Sequence, residues 1–141
     1  MPTVSGFEIV EHTADIAIHA WAPNFEGLLT EFLKGLQTVV FGQVITRDAT
    51  DFEELAIQEP GLEDALITVL NEAVFYIYHA RRSPVAAGVS GRVPSGMKIT
   101  WGLAPLDLAR TPLLLDIKAA TYHNLKVEHN GHYDATVVFD I

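Results

Sequence analysis

The chain has 141 residues, 49% of them apolar and 19% charged, with no cysteine and a net charge of -9 from 18 acidic against 9 basic side chains. That length supports one domain with a genuine core, removing roughly 70% of the extended-chain surface from water. Disulfides and thiolate metal sites are excluded, no apolar run approaches the roughly 20 residues of a membrane helix, and the acid excess argues against direct nucleic-acid binding, which rests on cationic contacts.

The first segment, "FEIVEHTADIAIHAW" from Phe7 to Trp21, reads as a strand with one buried face. Within it Ile16, Ile18 and Ala20 alternate with Asp15, Ala17 and His19, and Asp15 opens the alternating run. The preceding residues lack the basic start and apolar stretch of a secretory signal, so a cytoplasmic location is the expectation. "PNFEGLLTEFLKGLQTVVFG" then changes period. Phe25, Leu28, Leu29, Phe32, Leu33, Leu36 and Val40 follow helical spacing, with Asn24 placed to cap the helix and Gly42 to stop it.

"DFEELAIQEP" predicts a strand ended by Pro60, and "GLEDALITVLNEAVFYIYHARR" predicts a second amphipathic helix with Arg81 and Arg82 beside its C-terminal dipole. Beyond Ser83 the pattern turns to strands: "VAAGVSGRV", "MKITWGL", "LLLDIKAATYH", "LKVEHN" and "HYDATVVFDI". Asn130-Gly131 predicts a two-residue type I′ hairpin between the last two, which would be antiparallel neighbours. There is no internal repeat or linker, so residues 1–141 read as a single domain. The expected fold class is α+β, with two helices packed on a largely antiparallel sheet of about seven strands.

Chemistry-bearing residues collect in three places. His12 and Asp15, joined by His19, offer imidazole and carboxylate donors of the kind that bind divalent cations, although Asp15 and Thr13 could equally satisfy backbone groups at a strand start. Asp140 and the carboxylate of Ile141 form a dense set of hard oxygens that would attract Ca²⁺ or Mg²⁺ if a third carboxylate came near; alone they read as a solvated tail. In "DIKAATYHNL", alternation would put Asp116, Lys118, Ala120 and Tyr122 on one face. Phosphate-loop, dinucleotide-binding, nucleophile-elbow and HExxH patterns are all missing, which argues against a self-contained transferase or hydrolase.

Taken together and in order, "FEIVEHTADIAIHAW", "LEDALITVLNEAVFYIY", "LDLARTPLLLDIKAATYHNLKV" and the terminal "ATVVFDI" resemble the archease family from Phe7 to Ile141. The resemblance implies a protein cofactor, not an enzyme. Its partner would be the tRNA-splicing RNA ligase, which joins 2′,3′-cyclic phosphate or 3′-phosphate ends to 5′-hydroxyl ends. The cofactor would promote the ligase's guanylylation by GTP and its multiple turnover in tRNA splicing and RNA repair. It further implies a metal site formed by Asp15, Asp140 and the carboxylate of Ile141, and an activating lysine at Lys118, with His12 and Glu72 as further residues acting on the partner. Oxygen ligands favour Ca²⁺, with Mg²⁺ or Mn²⁺ compatible. To bring Asp15 to Asp140, the strands carrying them would have to lie side by side or end to end. Two other readings stand beside this one: a stand-alone metal-dependent hydrolase using His12, Asp15 and His19 with Glu72 as base, and a metal-independent chaperone or adaptor.

Overall fold

The helix expected between Asn24 and Gly42 forms over Phe25–Phe41 (α1). The Asn24 side chain accepts a hydrogen bond from the Gly27 N–H, and the Gly42 N–H closes the last turn on the Thr38 carbonyl. The second helix, α2, spans Leu62–Tyr78. A computed structural model describes residues 4–11 and 15–141, and in it seven strands surround these helices. They are β1 (Gly6–Glu11), β2 (Asp15–Ala22), β3 (Asp51–Gln58), β4 (Arg82–Gly91), β5 (Ser95–Pro105), β6 (Ala119–Thr121) and β7 (Tyr133–Asp140).

All pairings are antiparallel, as expected for an α+β fold of this composition, and the strands divide into two sheets. One has the order β1-β2-β7-β6 and the other β3-β5-β4. On the first sheet α1 packs against β1, β2 and β7, and on the second against β4; α2 packs against β6 and against β3 and β4. The helices therefore form a layer shared by both sheets, which explains why α1 buries Leu29 and Leu33 as well as its Phe25-Phe32-Leu36 stripe. Trp101, Phe32, Phe139, Ile18, Leu66 and Leu70 are fully buried in one core. Each large apolar side chain so buried contributes about 1.5–3 kcal/mol.

Two close contacts position β2 and β6. A Cβ on Gly35 would stand 2.7 Å from Ile18 Cγ2, so this glycine lets α1 approach β2 more closely than any side chain would allow. On α2, the Asn71 amide accepts from the Ala120 N–H at 2.8 Å and donates to the Ala120 carbonyl at 3.4 Å, fastening β6 to the helix.

Several strand expectations are modified. The Phe7–Trp21 segment is a hairpin, β1 and β2, rather than one strand. In "LLLDIKAATYH" only Ala119–Thr121 pairs, because the Leu115 carbonyl and Ile117 N–H are satisfied by the Tyr78 hydroxyl, at 2.6 and 3.1 Å. "LKVEHN" contributes only the bridge Glu128↔Asp134, since the Val127 N–H is taken by a Glu63 carboxylate at 2.8 Å. The turn at Asn130-Gly131 is correspondingly wider than a type I′ turn: Gly131 has φ 84°, whereas Asn130 is not among the residues of positive φ.

Candidate functional site

β2 starts at Asp15, β7 ends at Asp140, and their antiparallel register makes those two residues direct partners. The register is fixed by the core, where Ile16↔Phe139, Ile18↔Val137 and Ala20↔Ala135 are buried pairs. With a side-chain period of two, Asp15 and Asp140 must share the opposite face; a slip of one residue would drive them into the core. Cross-strand partners hold their Cβ atoms about 4.5–5.5 Å apart, so the register makes the two side chains neighbours on one face.

The carboxyl end of β7 is held on both sides. Beyond its pairing with β2, the Asp140 carbonyl accepts the Lys118 N–H at 2.8 Å, and the Thr121 hydroxyl donates to the Val138 carbonyl at 2.8 Å. Asp140 itself is exposed and Asp15 half-buried. Asp15 Oδ1 is buried and has no hydrogen-bond partner among the described residues. A buried, unpartnered carboxylate oxygen is costly and calls for a cation or a donor. Ile141 and Asp15 also line a common cleft of about 390 Å³ with Glu11, Thr38 and Leu114.

The remaining candidates are distributed around this pair. Lys118 is exposed and forms no ion pair among the described residues, while its backbone ties β6 to Asp140. Asp116, Lys118 and Tyr122 do not share a face with Ala120, which is buried at 5% exposure while the other three are exposed. Tyr122 instead donates to Asp64 at 2.9 Å, and that bond, with burial second, raises its pKa. Glu72 lies half-buried on α2 one turn before Tyr76, whose phenol pKa is raised by burial and then by the charges of Glu53 and Glu72. No salt bridge joins Glu72 to Lys118, and no cluster of three metal-ligating side chains joins it to Asp15 and Asp140, among the described residues. His12 lies outside the described residues.

His19 sits four residues along β2 from Asp15, roughly 13 Å at strand rise. Its Nδ1 is 2.7 Å from Glu8 Oε1 and its Nε2 2.9 Å from Asp134 Oδ1. Burial opposes its charged form, yet hydrogen bonds and charge from Glu8 and Asp134 prevail and raise its pKa above 6.5. Sequence reasoning missed this clamp and the Asn71 clamp alike, because each joins residues far apart in the chain. The available signal for Asn71 was a short amide on the apolar side of α2.

Among the described residues no three His, Cys, Asp or Glu side chains gather to hold a metal, so no third side chain of these types stands beside Asp15 and Asp140 there. The described helices include none long and apolar enough to cross a membrane. Fold and site together define a small α+β protein whose distinctive feature is a carboxylate pair at the end of its central strands. The sequence pattern of the archease protein family matches residues 7–141, and the chain belongs to that family. It is 33% identical over 150 residues to protein archease of Methanopyrus kandleri, covering 96% of this chain and 99% of the relative. It is also 22% identical over 147 residues to protein archease of Danio rerio, covering 99% and 88%. Among solved structures, the solution structure of Methanobacterium thermoautotrophicum protein 1598 matches with TM-score 0.69 at 18% identity, covering 96% of this chain and 99% of that one. The Thermotoga maritima crystal structure, described as an archease and possible chaperone, matches with TM-score 0.59 at 26% identity, covering 94% of each.

Proposed function

We propose that this chain is a protein cofactor of an RNA ligase that joins 2′,3′-cyclic phosphate or 3′-phosphate ends to 5′-hydroxyl ends, and that it promotes the ligase's guanylylation and turnover. The observation that carries this reading is Asp15 standing opposite Asp140 with one buried carboxylate oxygen unpartnered. Such an all-oxygen pair, completed by the carboxylate of Ile141, fits Ca²⁺ best and accepts Mg²⁺ or Mn²⁺. When bound, the ion would offset repulsion between the carboxylates and give an acidic tip a positive centre toward the partner's phosphates. The chain's own residues do the rest: β2 and β6 hold Asp140 from both sides, and Lys118 sets a cation beside them at the sheet edge.

The hydrolase reading needs His19 at the same centre as Asp15. Its ring nitrogens are instead engaged by Glu8 and Asp134 farther along β2. Ligation assays with the cognate ligase, under single- and multiple-turnover conditions, test the proposal. Addition of this protein should raise both guanylylation and turnover, and Asp15→Ala, Asp140→Ala and Lys118→Ala should each reduce the effect without unfolding the chain. No gain in either quantity with the unaltered protein would overturn it.

A further inference from the structure

Where α2 ends, the chain turns through 79–81 into β4, and the segment 113–118 runs alongside. A groove of about 610 Å³ lies between them. Its floor is preformed, because the Tyr78 hydroxyl bonds both the Leu115 carbonyl and the Ile117 N–H. One wall is apolar, from Val74, Leu113 and Leu115, and the other polar residues are His79, Arg81, Asp116 and Lys118. Leu114 and Leu115 line both this groove and the cleft beside Asp15, so the two adjoin.

The charge pattern is unexpected in a chain with a net charge of -9. Lys34, Arg82, Lys98 and Lys126 all have carboxylate partners within 4.0 Å. Arg47, Arg81, Arg92, Arg110 and Lys118 have none among the described residues, and of these five Arg81 and Lys118 line this one groove. His79 stacks on Phe75 at 5.4 Å and makes no hydrogen bond through its ring among the described residues. Arg81 is moreover held at φ 55°, a left-handed conformation that glycine or asparagine would adopt more easily. Compensation of the helix dipole does not call for a strained arginine at this point. Strain of this kind collects where a side chain has work to do.

We infer that the groove between the end of α2 and residues 113–118 binds the phosphoryl group of a small phosphorylated organic molecule, with Arg81, Lys118 and His79 as its donors. A planar guanidinium fork, an ammonium and an imidazole N–H lining one groove suit a tetrahedral dianion, with more donors than a single carboxylate would use. The apolar wall receives the organic body, and the volume is that of a small-molecule pocket, about 300–1,000 Å³. A single carboxylate, Asp116, is available for a hydroxyl or amine of the ligand. The site adjoins the carboxylate pair through Lys118, whose backbone is bonded to Asp140, but its donors are cationic rather than carboxylate, and the test reads its occupancy without the ligase.

The test is an amide-resolved NMR titration of the isolated full chain with AMP, with inorganic phosphate and with adenosine. AMP should give saturable shifts at residues 79–81 and 116–118, phosphate weaker shifts at the same residues, and adenosine none that saturate. Arg81→Gly suits the positive φ and should melt no lower than the unaltered chain, yet weaken AMP by about tenfold or more, as expected for a lost charged hydrogen bond. Lys118→Ala should weaken it similarly, whereas Arg110→Ala should leave it unchanged. The inference is overturned by unchanged AMP affinity in Arg81→Gly, by shifts scattered over Arg47, Arg92 and Arg110, or by the absence of saturation. Equal affinity for phosphate and AMP would likewise overturn the organic ligand.

Discussion

Replacing Asp140 by Asn should change stability in opposite directions with and without a divalent cation. Asp140 is the better probe of the pair, since it is exposed and Asn can replace it without burying a new donor; Asp15 Oδ1 is already buried. Like charges directly opposite across antiparallel strands destabilise by about 0.2–1 kcal/mol. The metal-free Asp140→Asn protein should therefore melt higher than the unaltered chain, by roughly 1–4 °C for a domain of this size. Saturating cation reverses the order. At a hundred times the dissociation constant a ligand specific for the folded state adds about 2.7 kcal/mol, or roughly 5–10 °C, and Asp140→Asn should lose most of that gain. Thermal melts in chelator and then in excess Ca²⁺, Mg²⁺ or Mn²⁺ give both signs from one protein pair. If no cation raises the melting temperature of the unaltered chain, or if Asp140→Asn gains as much as it does, the carboxylate pair is not a metal site.

Three further outcomes follow from the fold. Asn71→Ala strips the Ala120 N–H and carbonyl of their partner and should cost about 1–3 kcal/mol in urea denaturation, with an unchanged m-value. Gly35→Ala forces a methyl group to within 2.7 Å of Ile18 Cγ2 and should cost about 1–3 kcal/mol by the same measurement; a neutral result would mean that α1 can withdraw from β2. For His19, both ring nitrogens face carboxylate oxygens, so both bonds require the imidazolium. Because its folded pKa is raised, the clamp's contribution is complete below the unfolded value of 6.5 and is lost as pH rises through the folded value. The melting-temperature difference between the unaltered chain and His19→Gln should thus be largest just below pH 6.5 and shrink above it. A difference that grows with pH would refute the clamp.

What was legible in the sequence was whatever depended on neighbours along the chain. Helix α1 could be delimited because Asn24, the helical spacing of Phe25 to Val40, and Gly42 lie within a few turns of one another. The late strands were legible only where a strand partner was the sole recourse of the backbone. "LKVEHN" and residues 113–118 have the residue types of strands, but Glu63, Tyr78 and the Val40 carbonyl satisfy their backbone groups from other elements, so they do not extend the sheets. The same reason broke the alternation that would have set Lys118 beside Tyr122. Division into two sheets was equally hidden, since it follows from helices that are apolar on more than one side and can be covered twice.

The carboxylate pair shows the opposite relation between local pattern and long-range geometry. Neither Asp15 nor Asp140 can be told from a strand cap or a solvated tail by its own neighbours. Their shared face is nevertheless implicit in the two apolar faces, because any one-residue slip would bury them, and the observed pairing of Ile16, Ile18 and Ala20 with Phe139, Val137 and Ala135 sets Asp15 against Asp140. Once β2 and β7 are known to be neighbours, the core determines which face the pair occupies. The exposed end of the central strands is thus as rigidly specified as the buried part, and a cation bound there would meet donors fixed in advance by apolar packing rather than ordered at the moment of binding.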